Sequence, residues 1–124
     1  LAREAERRRA TLGAQNLASL VWAFTAARRQ KAHPRLYAAV GHEVVQRLEM
    51  PDARRHFSPQ ALATILLACS GAPGAPPELF DALSAHALTR LRDFNVQDLA
   101  NAAAGLRAVG AADPRAAGAP RALW

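Results

Sequence analysis

Phe57-Ser58-Pro59-Gln60-Ala61-Leu62-Ala63-Thr64 is a phrase that the chain states three times. It returns as Phe94-Asn95-Val96-Gln97-Asp98-Leu99-Ala100-Asn101 and is anticipated by Leu12-Gly13-Ala14-Gln15-Asn16-Leu17-Ala18-Ser19. Each copy places a large apolar residue before a helix-start residue. A Gln follows two positions on, and Leu or its equivalent, Ala and a small polar residue close the phrase. Repetition in one register marks stacked helical units before any single residue is interpreted. Gln60 and Gln97 lie 37 residues apart, and Gln15 and Gln60 lie 45 apart.

Working outward, each phrase opens a helix. Ser58 and Asn95 are residue types that cap helix N-termini, and Pro59 falls at the first helical position, where its missing N–H costs nothing. Asp98 puts a carboxylate in the first turn of its helix, near the positive end of the dipole. Gly13 is the weaker cap of the first copy. Apolar residues then recur at helical spacing: Leu17, Leu20, Val21 and Phe24; Leu62, Ile65, Leu66 and Cys69; Leu99, Ala102, Ala103 and Leu106, with Val109 beyond. A second helix follows in each unit. Pro34-Arg35-Leu36-Tyr37-Ala38-Ala39-Val40 aligns with Pro77-Glu78-Leu79-Phe80-Asp81-Ala82-Leu83, and the alignment runs on to Arg47-Leu48 against Arg90-Leu91. A third second-helix begins at Pro114, and Gly118 and Pro120 cut it short.

The expected fold is therefore all-α, an α-solenoid of stacked antiparallel helix pairs with a repeat of about 37–38 residues. Residues 1–11 read as a basic segment or the remnant of a preceding repeat. Repeat 1 covers 12–57 with an insertion at 49–56, repeat 2 covers 58–94, and repeat 3, degenerate and incomplete, covers 95–118. Residues 119–124 form a tail. The insertion is polar and contains Pro51, so it reads as an exposed loop. The chain begins with Leu1 rather than Met, which reads as a piece of a longer protein.

Composition fits close-packed helices. Ala supplies 31 of the 124 residues, and Ala favours helix while burying little area. No stretch reaches the ~18 apolar residues that cross a membrane. The lone Cys69 excludes an internal disulfide and reads as a small buried hydrophobe. Charge is one-sided: residues 1–57 hold 11 Lys/Arg against 5 Asp/Glu, whereas residues 58–124 hold 5 of each. Of the 16 basic residues 15 are Arg, the side chain that makes bidentate contacts to phosphate and stacks on bases. Localised positive charge is the electrostatic footprint of a nucleic-acid binder.

Candidate RNA-binding residues follow from charge and register. Arg28, Arg29 and Lys31 cluster at the end of a first helix, where they also complement its negative C-terminus. Arg54 and Arg55 lie in the insertion, and Arg7, Arg8 and Arg9 in the basic segment. Ser19, Thr64 and Asn101 occupy the same position of each phrase; they either face a groove along the stack or hydrogen-bond locally between helices. Trp22 sits beside the core stripe and is expected to be buried there, although an exposed Trp would stack on a base. The four histidines are scattered, and no metal-ligand spacing, phosphate loop, paired carboxylates or catalytic constellation stands out. The expectation is a non-enzyme with no metal, no cofactor and no small-molecule substrate.

Gln97-Asp98-Leu99-Ala100-Asn101 and Gln15-Asn16-Leu17-Ala18-Ser19, with Trp22-Ala23-Phe24 at the following turn, resemble the octotricopeptide repeat family of algal organelle RNA-binding proteins and the related helical repeats of RAP-domain proteins. The resemblance covers roughly residues 12–114. The Trp position is Leu67 in the second copy and Ala104 in the third, and no RAP-type domain is visible. The resemblance implies an α-solenoid that binds organellar transcripts or ribosomal RNA. A short, degenerate array suits a structural subunit of an organellar ribonucleoprotein, such as a mitochondrial ribosome, with neighbouring protein subunits as further partners. The mitochondrion is the expected location and the chloroplast the alternative. A protein–protein scaffold without direct RNA contact is the competing reading.

Overall fold

The computed structural model describes residues 1–112, and those residues contain helices and no strand. The helices are α1 (Ala2–Arg8), α2 (Ala14–Ala26), α3 (Pro34–Leu48), α4 (Ala53–His56), α5 (Pro59–Cys69), α6 (Pro77–Leu88) and α7 (Val96–Ala112), with single 3₁₀ turns at Arg9–Thr11 and Leu91–Asp93. The short helix expected from Pro114, its breakers Gly118 and Pro120, and the tail 119–124 lie outside the described residues.

Helix starts follow the local chemistry of the phrase. Ser58 Oγ accepts a hydrogen bond from the Ala61 N–H at 3.0 Å, and Pro59 opens α5. Asn95 and Asp98 form a reciprocal capping box. Asn95 Oδ1 accepts from the Asp98 N–H at 2.7 Å, and Asp98 Oδ2 accepts from the Asn95 N–H at 3.3 Å, which satisfies two orphan donors of the first turn. Gly13 gives α2 no side-chain cap. Pro34 and Pro77 open α3 and α6.

The helices pack in two layers. α5 lies between α2 and α7 in one layer, and α3 lies between α1 and α6 in the other. The core between them is built from Leu17, Val21, Leu62, Ile65 and Leu66 on one side and Leu36, Tyr37, Val40, Val44, Leu79 and Leu83 on the other, all fully buried. Leu20 and Phe24 are only partly buried. A polar bridge crosses this core. Thr25 Oγ1 donates to the Ala68 carbonyl at 2.8 Å and lies 2.8 Å from the Tyr37 hydroxyl. Since a hydroxyl has one hydrogen to give, Tyr37 is the donor of that second bond. The bridge ties α2, α3 and α5 together. Burial raises the Tyr37 phenol above its ordinary range.

Close backbone approach sets two contacts. A Cβ on Gly105 would stand 2.7 Å from the Leu66 carbonyl carbon, so the absence of a side chain lets α7 lie directly on α5. A Cβ on Gly74 would overlap the Pro34 carbonyl, which seats the α5–α6 connection against the start of α3.

Three expectations are corrected. The insertion 49–56 is not simply a loop: Ala53 is buried and begins the single turn α4. The second helices do not match to their ends, because α6 stops at Leu88 whereas α3 carries Arg47 inside it. Both arginines nevertheless reach the segment preceding a first helix. Arg47 Nη2 donates to the Arg9 and Ala10 carbonyls at 3.0 and 3.3 Å while its Nε pairs with Glu43 at 2.8 Å. Arg90, buried, donates through Nη1 to the Phe57 carbonyl. Finally, Leu99 is not a core residue. Leu17 and Leu62, its counterparts, are fully buried, but Leu99 is 41% exposed, because among the described residues α7 has a layer neighbour, α5, on one side only.

Candidate nucleic-acid interface

The repeated phrase converges on one open groove. On α2 its lining residues are Gln15, Ser19 and Trp22; on α5 they are Gln60, Thr64 and Leu67; on α7 they are Gln97 and Asn101. Positions i, i+4 and i+7 share one helix face, so each phrase delivers its Gln, its small polar residue and its Trp-position residue to the same side. Because α2, α5 and α7 lie side by side, the three Gln residues form one row and Ser19, Thr64 and Asn101 a second. The groove has a volume of about 380 Å³.

Its chemistry is neutral and polar with one aromatic platform. The described lining residues carry no formal charge. Carboxamides offer both donors and acceptors, and hydroxyls do the same. Gln97 Nε2 donates to Asn101 Oδ1 at 2.9 Å, which leaves Gln97 Oε1 as an acceptor and Asn101 Nδ2 as a donor. Asn101 thus both bonds within its own helix and faces the groove. Ser19 and Thr64 make no side-chain hydrogen bond among the described residues. Trp22, expected in the core, is 45% exposed. Its neighbour Val21 takes the buried position, and Trp22 falls one helical step away, on the face of Gln15 and Ser19.

The basic candidates stand apart from this groove; none of them lines it. Arg28, Arg29 and Lys31 occupy the α2–α3 connection, all exposed and without an ion pair among the described residues. Arg28 has φ +60°. The Arg29 N–H donates to the Phe24 carbonyl and the Arg28 N–H to the Thr25 carbonyl, both at 2.9 Å. This is a Schellman termination with Arg at the left-handed position that glycine ordinarily fills. Arg54 pairs with Asp93 at 3.3 Å, and Arg55 is exposed beside it. Arg7 and Arg8 share Glu4 at 3.3 and 2.9 Å, and Arg9 Nη1 donates to the Glu6 carbonyl at 2.6 Å. Exposed pairs of this kind hold a side chain weakly.

Elsewhere the reactive groups other than His86 are accounted for by packing or pairing. Burial pushes the Cys69 thiol up to about 12, which keeps it protonated and unreactive. Asp52 and His56 form an exposed pair at 2.8 Å, and that hydrogen bond holds the Asp52 carboxyl below its usual range. His86 is held below the ordinary imidazole range, first by burial and then by Arg90 and Arg54, and its Nε2 is buried without a hydrogen-bond partner. Among the described residues no three His, Cys, Asp or Glu side chains gather where an ion would be held, and no helix is long and apolar enough to cross a membrane.

Sequence reasoning singled out Ser19, Thr64 and Asn101, and the structure brings these together. It passed over Gln15, Gln60 and Gln97 as site residues and misplaced Trp22. The i, i+4, i+7 spacing of Gln15, Ser19 and Trp22 was the signal that links them. Comparison with known proteins gives no matching family model, no matching curated protein and no matching solved structure.

Proposed function

We propose that the chain is an RNA-binding helical-repeat protein, an α-solenoid segment whose first helices present a groove to single-stranded RNA while its exposed arginines hold the phosphates. The observation that carries this reading is the alignment of three copies of one phrase along one open face. Core packing explains a repeated Leu, but it gives no reason to repeat an exposed Gln and a small polar residue. The two helix layers support the solenoid, and the place of α1 beside α3 supports residues 1–11 as the remnant of a preceding second helix. Aromatic stacking and polar edge contacts are how single strands are held, and Trp22 with the carboxamide row supplies both.

Arg28 adds a second support. A non-glycine residue in the left-handed region costs of order 1 kcal/mol or more, and the Arg bearing that cost is exposed and unpaired. Within this reading, the role as a structural subunit of an organellar ribonucleoprotein, mitochondrial before chloroplast, rests on the sequence resemblance.

The test is fluorescence anisotropy with labelled single-stranded RNA across a salt series. Phosphate contacts to a single strand lower log K by about 0.7 per contact per decade of salt. Reversal of Arg28, Arg29 and Lys31 to Glu is expected to weaken binding and flatten that slope. Affinity indifferent to salt and to the reversal would sink the proposal. The protein–protein scaffold is favoured by a different observation: Val96 at 83% and Leu99 at 41% exposure leave an apolar end on α7. It becomes the better reading if the charge-reversed protein still joins its native assembly and RNA is never bound.

A further inference from the structure

We infer that copies of this chain join head to tail, with α7 of one copy packed against α2 of the next. This goes beyond the RNA reading and does not depend on it. The layer of first helices is joined twice by the same pair of flanks. At one junction the Thr25 hydroxyl of α2 donates to the Ala68 carbonyl of α5 at 2.8 Å. At the other, Gly105 of α7 lies on the Leu66 backbone of α5. Ala68 and Gly105 each stand eight residues after the Gln of their phrase, so one phrase position marks the flank turned toward the preceding helix. On that flank Ala61, Ile65 and Ala68 of α5 are buried, as are Ala102 and Gly105 of α7. Their counterparts on α2 are Asn16, Leu20 and Ala23. Asn16 and Ala23 are exposed and Leu20 is only partly covered, because among the described residues no helix of the layer is packed on that side of α2.

The forward flank shows the reverse. Ala14, Leu17 and Val21 of α2 are buried, and so are Leu62 and Leu66 of α5. The same positions on α7 are Val96, Leu99 and Ala103, which share one helix face at i, i+3 and i+7 spacing. Val96 is 83% exposed and Leu99 41%, and Ala103 is partly exposed. An interface formed twice within the chain therefore has one open half on α7 and the complementary open half on α2. A second copy carries the half that each lacks. The other layer ends in matching charge. α6 has no Lys or Arg and exposes Glu78 and Asp81, whereas α1 exposes Arg3, Arg7 and Arg8. Asp81 and Arg3 make no ion pair among the described residues. Continuing both layers sets α1 of the next copy beside α6, where these charges fix orientation more than strength. The two surfaces differ, so the contact is heterologous, and it leaves a free end for a further copy unless the rotation closes a ring.

The experiment is sedimentation velocity over a concentration series, without RNA. The unaltered chain is expected to pass from monomer through dimer to larger species as concentration rises. Leu99→Arg spoils the α7 flank and Ala23→Arg the α2 flank, and circular dichroism checks that both variants fold. Should Leu99→Arg fail to fold, Val96→Arg takes its place, at a side chain that is 83% exposed. Each variant alone should associate at least about tenfold more weakly, because an unpaired charge would be buried against apolar side chains. Mixed in equal amounts, the two variants should form a heterodimer that grows no further, since each keeps the half that the other has lost. A dimer of Ala23→Arg alone would mean that α7 flanks pair with each other, and it overturns the inference. Variants that do not complement one another overturn it too. A monomer at every concentration also overturns it, and assigns the open flanks to residues 113–124 or to a different protein. None of these outcomes bears on RNA affinity, which the salt series measures separately.

Discussion

Arg28 shows how a single backbone angle separates stability from binding. Its left-handed φ of +60° closes the α2 Schellman turn, and glycine adopts that angle without the Cβ penalty. Arg28→Gly is expected to raise stability by up to about 1 kcal/mol, read as a higher thermal midpoint, while weakening RNA binding. A midpoint that falls would show that the side chain holds structure that the geometry does not reveal. Thr25 is the opposite case. Its hydroxyl joins Ala68 and Tyr37, so Thr25→Val leaves a buried carbonyl without its donor and leaves the phenol only the longer bond to the Val21 carbonyl at 3.4 Å. A loss of about 1–3 kcal/mol is expected in urea denaturation. His86 sets a pH dependence. Its folded-state pKa is depressed, so the unfolded chain takes up the proton first as pH falls below about 6.5. Stability is thus fully present above that value and declines below it, by at most about 1.4 kcal/mol per pH unit. Replacement of His86 by Leu should flatten the decline in urea midpoints measured between neutral and mildly acidic pH. Asp52 acts only in a more acid window, below the ordinary carboxyl value of 3.8.

At the scale of the element, α7 carries two opposed demands. Ala is favoured over Gly inside a helix by about 1 kcal/mol, yet at Gly105 the added methyl would meet the Leu66 backbone at 2.7 Å. Steric overlap with backbone wins over propensity, because neither helix can yield locally. Gly105→Ala should destabilise by about 1–3 kcal/mol, with a lowered thermal midpoint, and a neutral or stabilising result would mean that α7 and α5 sit farther apart. Element starts were the most legible part of the sequence. Ser58, Asn95 with Asp98, and the prolines act on neighbours within one turn, so their effect is written locally. The single turn α4 was hidden because its one buried residue, Ala53, is too small to stand out in a polar insertion. The reach of Arg47 to the Arg9 carbonyl and of Arg90 to the Phe57 carbonyl spans 38 and 33 residues, a range at which spacing within a helix says nothing.

For the whole molecule, the layering was legible from the period, and much of the groove with it. Ser19, Thr64 and Asn101 were placed by register alone, since equal positions in stacked units must fall in line. Trp22 and Leu99 were misread for one reason. A helical stripe is wide, and which of its edges is covered depends on neighbours that the stripe does not specify. Trp22 lies on the edge that opens to the groove; Leu99 lies on the edge that α5 does not reach.

The position of α5 has a consequence in time as well as space. Among the described residues it alone of the three groove helices has a helix packed on each side of it within its own layer, α2 on one flank and α7 on the other, and it receives the Thr25 bond at Ala68. Opening the α5 amides to solvent therefore requires a neighbour to leave first, whereas α1 and α7 can loosen singly. Hydrogen–deuterium exchange should label α1 soonest and α5 last, so that the middle of the groove is its slowest part and its two ends breathe. Uniform exchange rates across the helices would instead mean that the layers open as one unit.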